Sequence, residues 1–145
     1  MTSAGRELVR RYYEAWNATD AAACVACFAP DGVREGRIMA RATRPGHRFP
    51  RFVGREAISE RIGGFMAAVP DLAVDVLRIG EGEDGTVWVE WRLTGTHTAD
   101  WGGWAARGER VDVPAVSIFR IESGLIAEET EYIDPAVMMT PPGGG

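Results

Sequence analysis

Four carboxylates crowd a short stretch late in the chain: Glu128, Glu129, Glu131 and Asp134. Such groups do general acid/base chemistry when burial or a neighbouring like charge lifts one of them toward a neutral pKa. Two other residue sets could carry chemistry. Cys24 and Cys27 form a C-x-x-C pair, but the pair falls inside a helical pattern rather than opening a helix after a strand, as a dithiol redox site does. A zinc site would need both histidines, His47 and His97, and neither stands at finger spacing. Two small buried hydrophobes is the reading taken for the cysteines.

Composition narrows the partners. The chain has 145 residues, 46% of them hydrophobic, which suits one ordinary domain with a real core. A net charge of −5 and a pI near 5.1 argue against nucleic acid and against an anionic membrane. A small molecule or a protein is left as partner. No stretch reaches the roughly 18 apolar residues of a spanning helix, and no signal-peptide pattern opens the chain. The expected location is the cytoplasm. All 16 basic residues are arginine.

The elements that must position these groups follow from periodicity. Ser3 can cap a first helix in which Leu8, Val9, Tyr12, Tyr13 and Trp16 share a face. Thr19 or Asp20 caps a short second helix through Phe28, ended by the turn residues Pro30-Asp31-Gly32. A third helix runs from about Gly54 to Val69, with Ile58, Ile62, Phe65, Met66 and Val69 on one face. From Leu72 the period changes to two, and strands are predicted over 72–80, 86–98, 109–121 and 125–133. A further strand near Val33 joins them. The result is an α+β domain spanning 1–140, followed by a disordered tail at 141–145.

Strand parity sorts the faces. Val87, Val89, Trp91 and Leu93 point inward from one strand; Val111, Val113, Ala115, Ser117 and Phe119 do so from the next. The last strand is a tie. Ile126, Glu128, Thr130 and Tyr132 alternate with Ala127, Glu129, Glu131 and Ile133, and periodicity alone does not choose between them.

The segments YYEAWNATDAAACVACFAPD, VGREAI, VPDL, VEWRLTGTHTADWGGWAARGERV and IFRIESGLIAEETEYID, in this order, resemble the SnoaL-like polyketide cyclases. This family lies within the nuclear-transport-factor-like fold, which also holds ketosteroid isomerases and limonene-epoxide hydrolases. The resemblance runs from about Arg6 to Met138. It implies a cone-shaped barrel of three N-terminal helices on a strongly curved, mixed and mostly antiparallel sheet, an interior active site, and a homodimer formed through the sheet. It also implies a catalytic carboxylate on the final strand. Matching that strand puts Glu131 there, with Asp134 at a second acidic position, and turns Glu129 and Glu131 inward.

The resemblance has departures. Aromatic-polyketide cyclases carry polar or imidazole side chains where this sequence has Ala115 and Ser117. Epoxide hydrolases carry an Arg and an Asp where this sequence has Trp91 and Leu93, so their carboxylate-arginine-carboxylate relay is expected to be missing. Arg34 matches a position that is polar in both groups, and either orients substrate or pairs with Glu131.

The implied site has Glu131 as acid/base, with Arg34 and Ser117 as polar helpers. Tyr13, Trp16, Phe65, Met66, Trp91, Leu93, Ala115, Glu129, Trp101 and His97 are the expected substrate contacts. The bland alternative for the two glutamates is a solvated rim, and for His97 a hydrogen-bonded strand end. Arg37, Arg41, Arg44, Arg48 and Arg51, with His47, form either a lid that grips an acidic group or carrier protein, or a solvated loop. Trp101 and Trp104 either close over substrate or contact a second subunit.

The expected function is cofactor-independent ring closure of a polyketide, aldol-type or pericyclic. Epoxide opening and non-catalytic binding of a hydrophobic ligand are the alternatives. Neither a cofactor nor a metal is expected.

Overall fold

The computed structural model describes residues 3–38, 49–101 and 105–133. Asp134, His47, Arg41, Arg44, Arg48, Trp104 and the 141–145 tail lie outside them.

Local chemistry starts each helix. In α1 (Ala4–Asn17), the Ser3 side chain accepts from Arg6 N at 3.1 Å, satisfying one of the free N–H groups of the first turn. Leu8, Val9, Tyr12, Tyr13 and Trp16 are all buried along its predicted face. At the far end Asn17 pairs by two side-chain hydrogen bonds with the backbone of Val74, at 2.9 and 2.7 Å, which ties the helix to the sheet. Asp20 caps α2 (Ala21–Ala26) by accepting from Ala23 N at 3.0 Å.

The expected end of α2 needs correction. The helix stops before Cys27, and Phe28 opens strand β1 (Phe28–Ile38). Pro30-Asp31-Gly32 lies within that strand, where the pairing register with the final strand shifts. The turn residues mark a bulge rather than a helix end.

After β1 come β2 (Arg51–Val53), α3 (Arg55–Ala68), β3 (Ala73–Glu81), β4 (Val87–His97), β5 (Glu109–Glu122) and β6 (Leu125–Ile133). The six strands form one sheet in the order β2-β1-β6-β5-β4-β3. All pairs are antiparallel except β1 with β6, which is parallel. The sheet curls over the helices without closing, so the expected barrel is an open one with β2 and β3 as edges.

Parity holds on both long strands. Val87, Val89, Trp91 and Leu93, and Val111, Val113, Ala115, Ser117 and Phe119, are all buried. Tyr12, Phe28 and Phe119 are fully buried, and the Tyr12 ring meets the other two edge to face at 5.5 and 5.7 Å between centroids. Each such side chain contributes about 1.5–3 kcal/mol through burial. Gly95 permits a close approach, since a Cβ there would lie 2.4 Å from Val69 at the end of α3.

Candidate functional site

The tie on β6 is broken by β1. In the parallel register Arg34 lies opposite Glu129 and Gly36 opposite Glu131, so their common face turns toward the helices. Arg34 then bridges both acids: its Nε donates to Glu129 Oε1 at 3.1 Å and its Nη2 to Glu131 Oε2 at 2.6 Å. Burial alone would drive the proton from Arg34, but Glu131 and Glu129 reverse that effect and hold its pKa above the usual range.

The two glutamates differ in company. Glu129, 1% exposed, also accepts from Tyr12 Oη at 2.7 Å and from Ser117 Oγ at 3.0 Å. Ser117 in turn accepts from Trp91 Nε1 at 3.0 Å. Glu131 accepts only from Arg34 among the described residues, through one oxygen. Burial pushes its carboxyl above the ordinary value; Arg34 opposes this, Glu129 adds to it, and Arg61 opposes it. One guanidinium, Arg34, contacts both carboxylates, and burial is the largest influence on Glu131.

A cavity opens beside these groups. Tyr13, Trp16, Arg34, Phe65, Trp91, Leu93, Trp101, Glu129 and Glu131 line it. Gly36 also lines it, and a Cβ there would meet nothing within 4 Å, so the wall beside Glu131 is open. The Tyr13 hydroxyl is buried without a hydrogen-bond partner among the described residues. Burial and then Glu129 push its pKa well up, so it stays a phenol and a donor.

A family model described as the SnoaL-like domain matches residues 9–129. The chain belongs to this family. Among solved structures, a candidate SnoaL-like polyketide cyclase from Jannaschia sp. CCS1 is 22% identical, with a TM-score of 0.78 over 94% of this chain and 89% of that one. A candidate polyketide cyclase from Xanthomonas campestris pv. campestris is 25% identical, with a TM-score of 0.67 and 89% of each chain covered. A protein of ketosteroid isomerase-like fold from Catenulispora acidiphila, solved with trimethylamine, is 19% identical, with a TM-score of 0.75 over 96% of this chain and 94% of that one. No curated protein matches the chain in sequence.

Within this SnoaL-like domain four expected site residues fall elsewhere. Met66 is buried with Ile58 and Ile62 in the core, while Phe65 takes the cavity side of α3. Ala115 is buried in the sheet and is not part of the cavity wall. His97 is buried at the end of β4, also away from that wall. Ser117 is fully buried, off the cavity wall, with its hydroxyl hydrogen-bonded to Glu129 and Trp91.

The relay expected to be missing has a counterpart. Glu129, Arg34 and Glu131 form a carboxylate-arginine-carboxylate set, built from β1 and β6 instead of from β4. Cys24 and Cys27 are free and buried, and burial pushes the Cys24 thiol up to about 12, which makes it a poor nucleophile. Of the arginine-rich segment, Arg37 and Arg51 pair with Glu35 at 2.9 and 3.6 Å.

Two site residues escape a reading of the sequence. Tyr12 belongs to the buried face of α1, and the signal for its role is that a buried phenol needs an acceptor. Arg61 stands three residues after Ile58 and four before Phe65, at the margin of the apolar face of α3. Its guanidinium lies 3.8 Å from the Trp101 ring centroid and 5.0 Å from that of Phe52.

Proposed function

We propose that this chain closes a ring in a polyketide-type substrate by proton transfer at Glu131. The observation that carries this reading is the uncommitted oxygen of Glu131, a desolvated carboxylate facing an apolar cavity while Glu129 is fully engaged beside it. In the aldol version Glu131 removes a proton alpha to a carbonyl. The electron pair moves onto the carbonyl oxygen, giving an enolate. The enolate carbon then attacks a second carbonyl, a C–C bond forms, and the new alkoxide takes the proton back from Glu131. The sequence is redox-neutral and returns its proton, so it calls for no cofactor. Trp16, Phe65, Trp91 and Leu93 fold the chain and keep water out.

Glu131→Gln tests the scheme with a linear poly-β-ketone substrate. Turnover should fall by about 10²-fold or more, the range a positioned acid/base contributes. Near-normal turnover would remove Glu131 as base and leave closure by pocket shape, the pericyclic version.

The Glu129-Arg34-Glu131 set favours a second reading, epoxide opening, in which one carboxyl protonates the epoxide oxygen and the other activates a nucleophile. Reaction in ¹⁸O-labelled water separates the two: label in a diol supports water attack, and its absence with ring formation supports cyclisation. The homodimer implied by the family is part of the proposal, supported by Trp88, Val116 and Ile118, which are exposed on the outer face of the sheet.

A further inference from the structure

The cavity has two cations, Arg34 and Arg61, in different situations. Arg34 is held between two carboxylates. Arg61 has no carboxylate within ion-pair reach among the described residues, and it lies against the faces of Phe52 and Trp101. Burial, and then Arg34, pull its pKa down to about 10, with Glu131 opposing, so its charge is poorly supported by the protein. A half-buried guanidinium in this state gains most from an added anion, and its planar fork suits a carboxylate. The Trp101 ring, 3.8 Å from the guanidinium carbon, holds this cation beside the cavity before any ligand arrives.

The segment that first looked suited to gripping an acid does less of this work. Arg37 and Arg51, its described members, are neutralised by Glu35. Arg61 reaches the cavity from a different element, α3, and its electrostatic effect on Glu131 places the two groups in one site.

We propose that Arg61 is a recognition point for an acidic group on the substrate, so that the pocket takes an apolar molecule bearing a carboxylate. The carboxylate docks on Arg61 beside Trp101, and the apolar body lies along Phe65 and Trp16 toward Glu131. This deepens the ring-closure reading and rests on it only for which end of the ligand reacts.

The test is calorimetric binding of anthraquinone-2-carboxylate and its neutral carboxamide at neutral pH. The full chain should prefer the carboxylate by on the order of tenfold, the effect of one charge-assisted contact. Arg61→Met should abolish that preference, read as the ratio of the two affinities, and Arg61→Lys should retain part of it. Equal binding of the two probes by the unaltered chain, no binding of the carboxylate, or an undiminished preference in Arg61→Met would each overturn the proposal. Failure of the chemistry is read separately. An acid preference that depends on Arg61 in a protein inert toward poly-β-ketones leaves recognition standing, whereas ring closure without acid preference leaves only the chemistry.

Discussion

Glu129 accepts hydrogen bonds from Tyr12, Ser117 and Arg34, whereas Glu131, two residues on, accepts from Arg34 alone among the described residues. The first is an anchor for the second's counter-ion. The burial of Glu131 has a thermodynamic consequence that can be signed. Its folded pKa lies above the ordinary value of 4.5. Between the two values the folded state holds a proton that the unfolded chain releases, so stability falls as pH rises through that window. Glu131→Gln removes the titration and should melt above the unaltered protein at neutral pH. The gap should close as pH falls toward 4.5. Thermal melts across that range decide it; an unaltered protein that melts higher at neutral pH would mean that pairing with Arg34 outweighs burial.

At the scale of elements, α3 works on two sides. Ile58, Ile62 and Met66 are buried in the core, and Arg61 and Phe65 reach the cavity. The core-facing and cavity-facing sides of this helix are therefore carried by different residues. Met66→Ala should cost about 2–4 kcal/mol in denaturant unfolding, the usual range for truncating a buried side chain. Its preference for the carboxylate probe over the carboxamide should stay intact. A loss of preference in that variant would show that the two sides are mechanically coupled.

For the whole molecule, the outer face of the sheet is the surface to test. Ile118 is 39% exposed and Trp88 41%, neighbours on paired strands of a face the helices do not cover. Ile118→Glu should shift sedimentation from dimer to monomer at micromolar concentration, while a monomeric parent protein would end the dimer proposal. Much of this architecture is legible in the sequence because period-two runs broken by Gly124 and Gly85 are strong local signals, and the four predicted strand spans agree with the structure to within a residue or two. The direction of β6 is not, because both its faces carry acids; what selects the inward face is Arg34, 95 residues away from Glu129. Arg61 is hidden for a related reason: an arginine at the margin of a helix reads as solvated until the aromatic rings of Phe52 and Trp101 are placed around it. Phe28 reads as helical because a bulge and a helix end use the same turn residues.

The parallel pairing of β1 with β6 also bears on how the protein is made. Arg34 is synthesised early and is inward-facing, yet both of its counter-ions arrive with the last strand. Until β6 docks, a nascent chain that collapses around β1 would bury a bare cation, which is strongly disfavoured. A chain truncated before Glu129 would therefore lack the charge that lets its own interior close around Arg34.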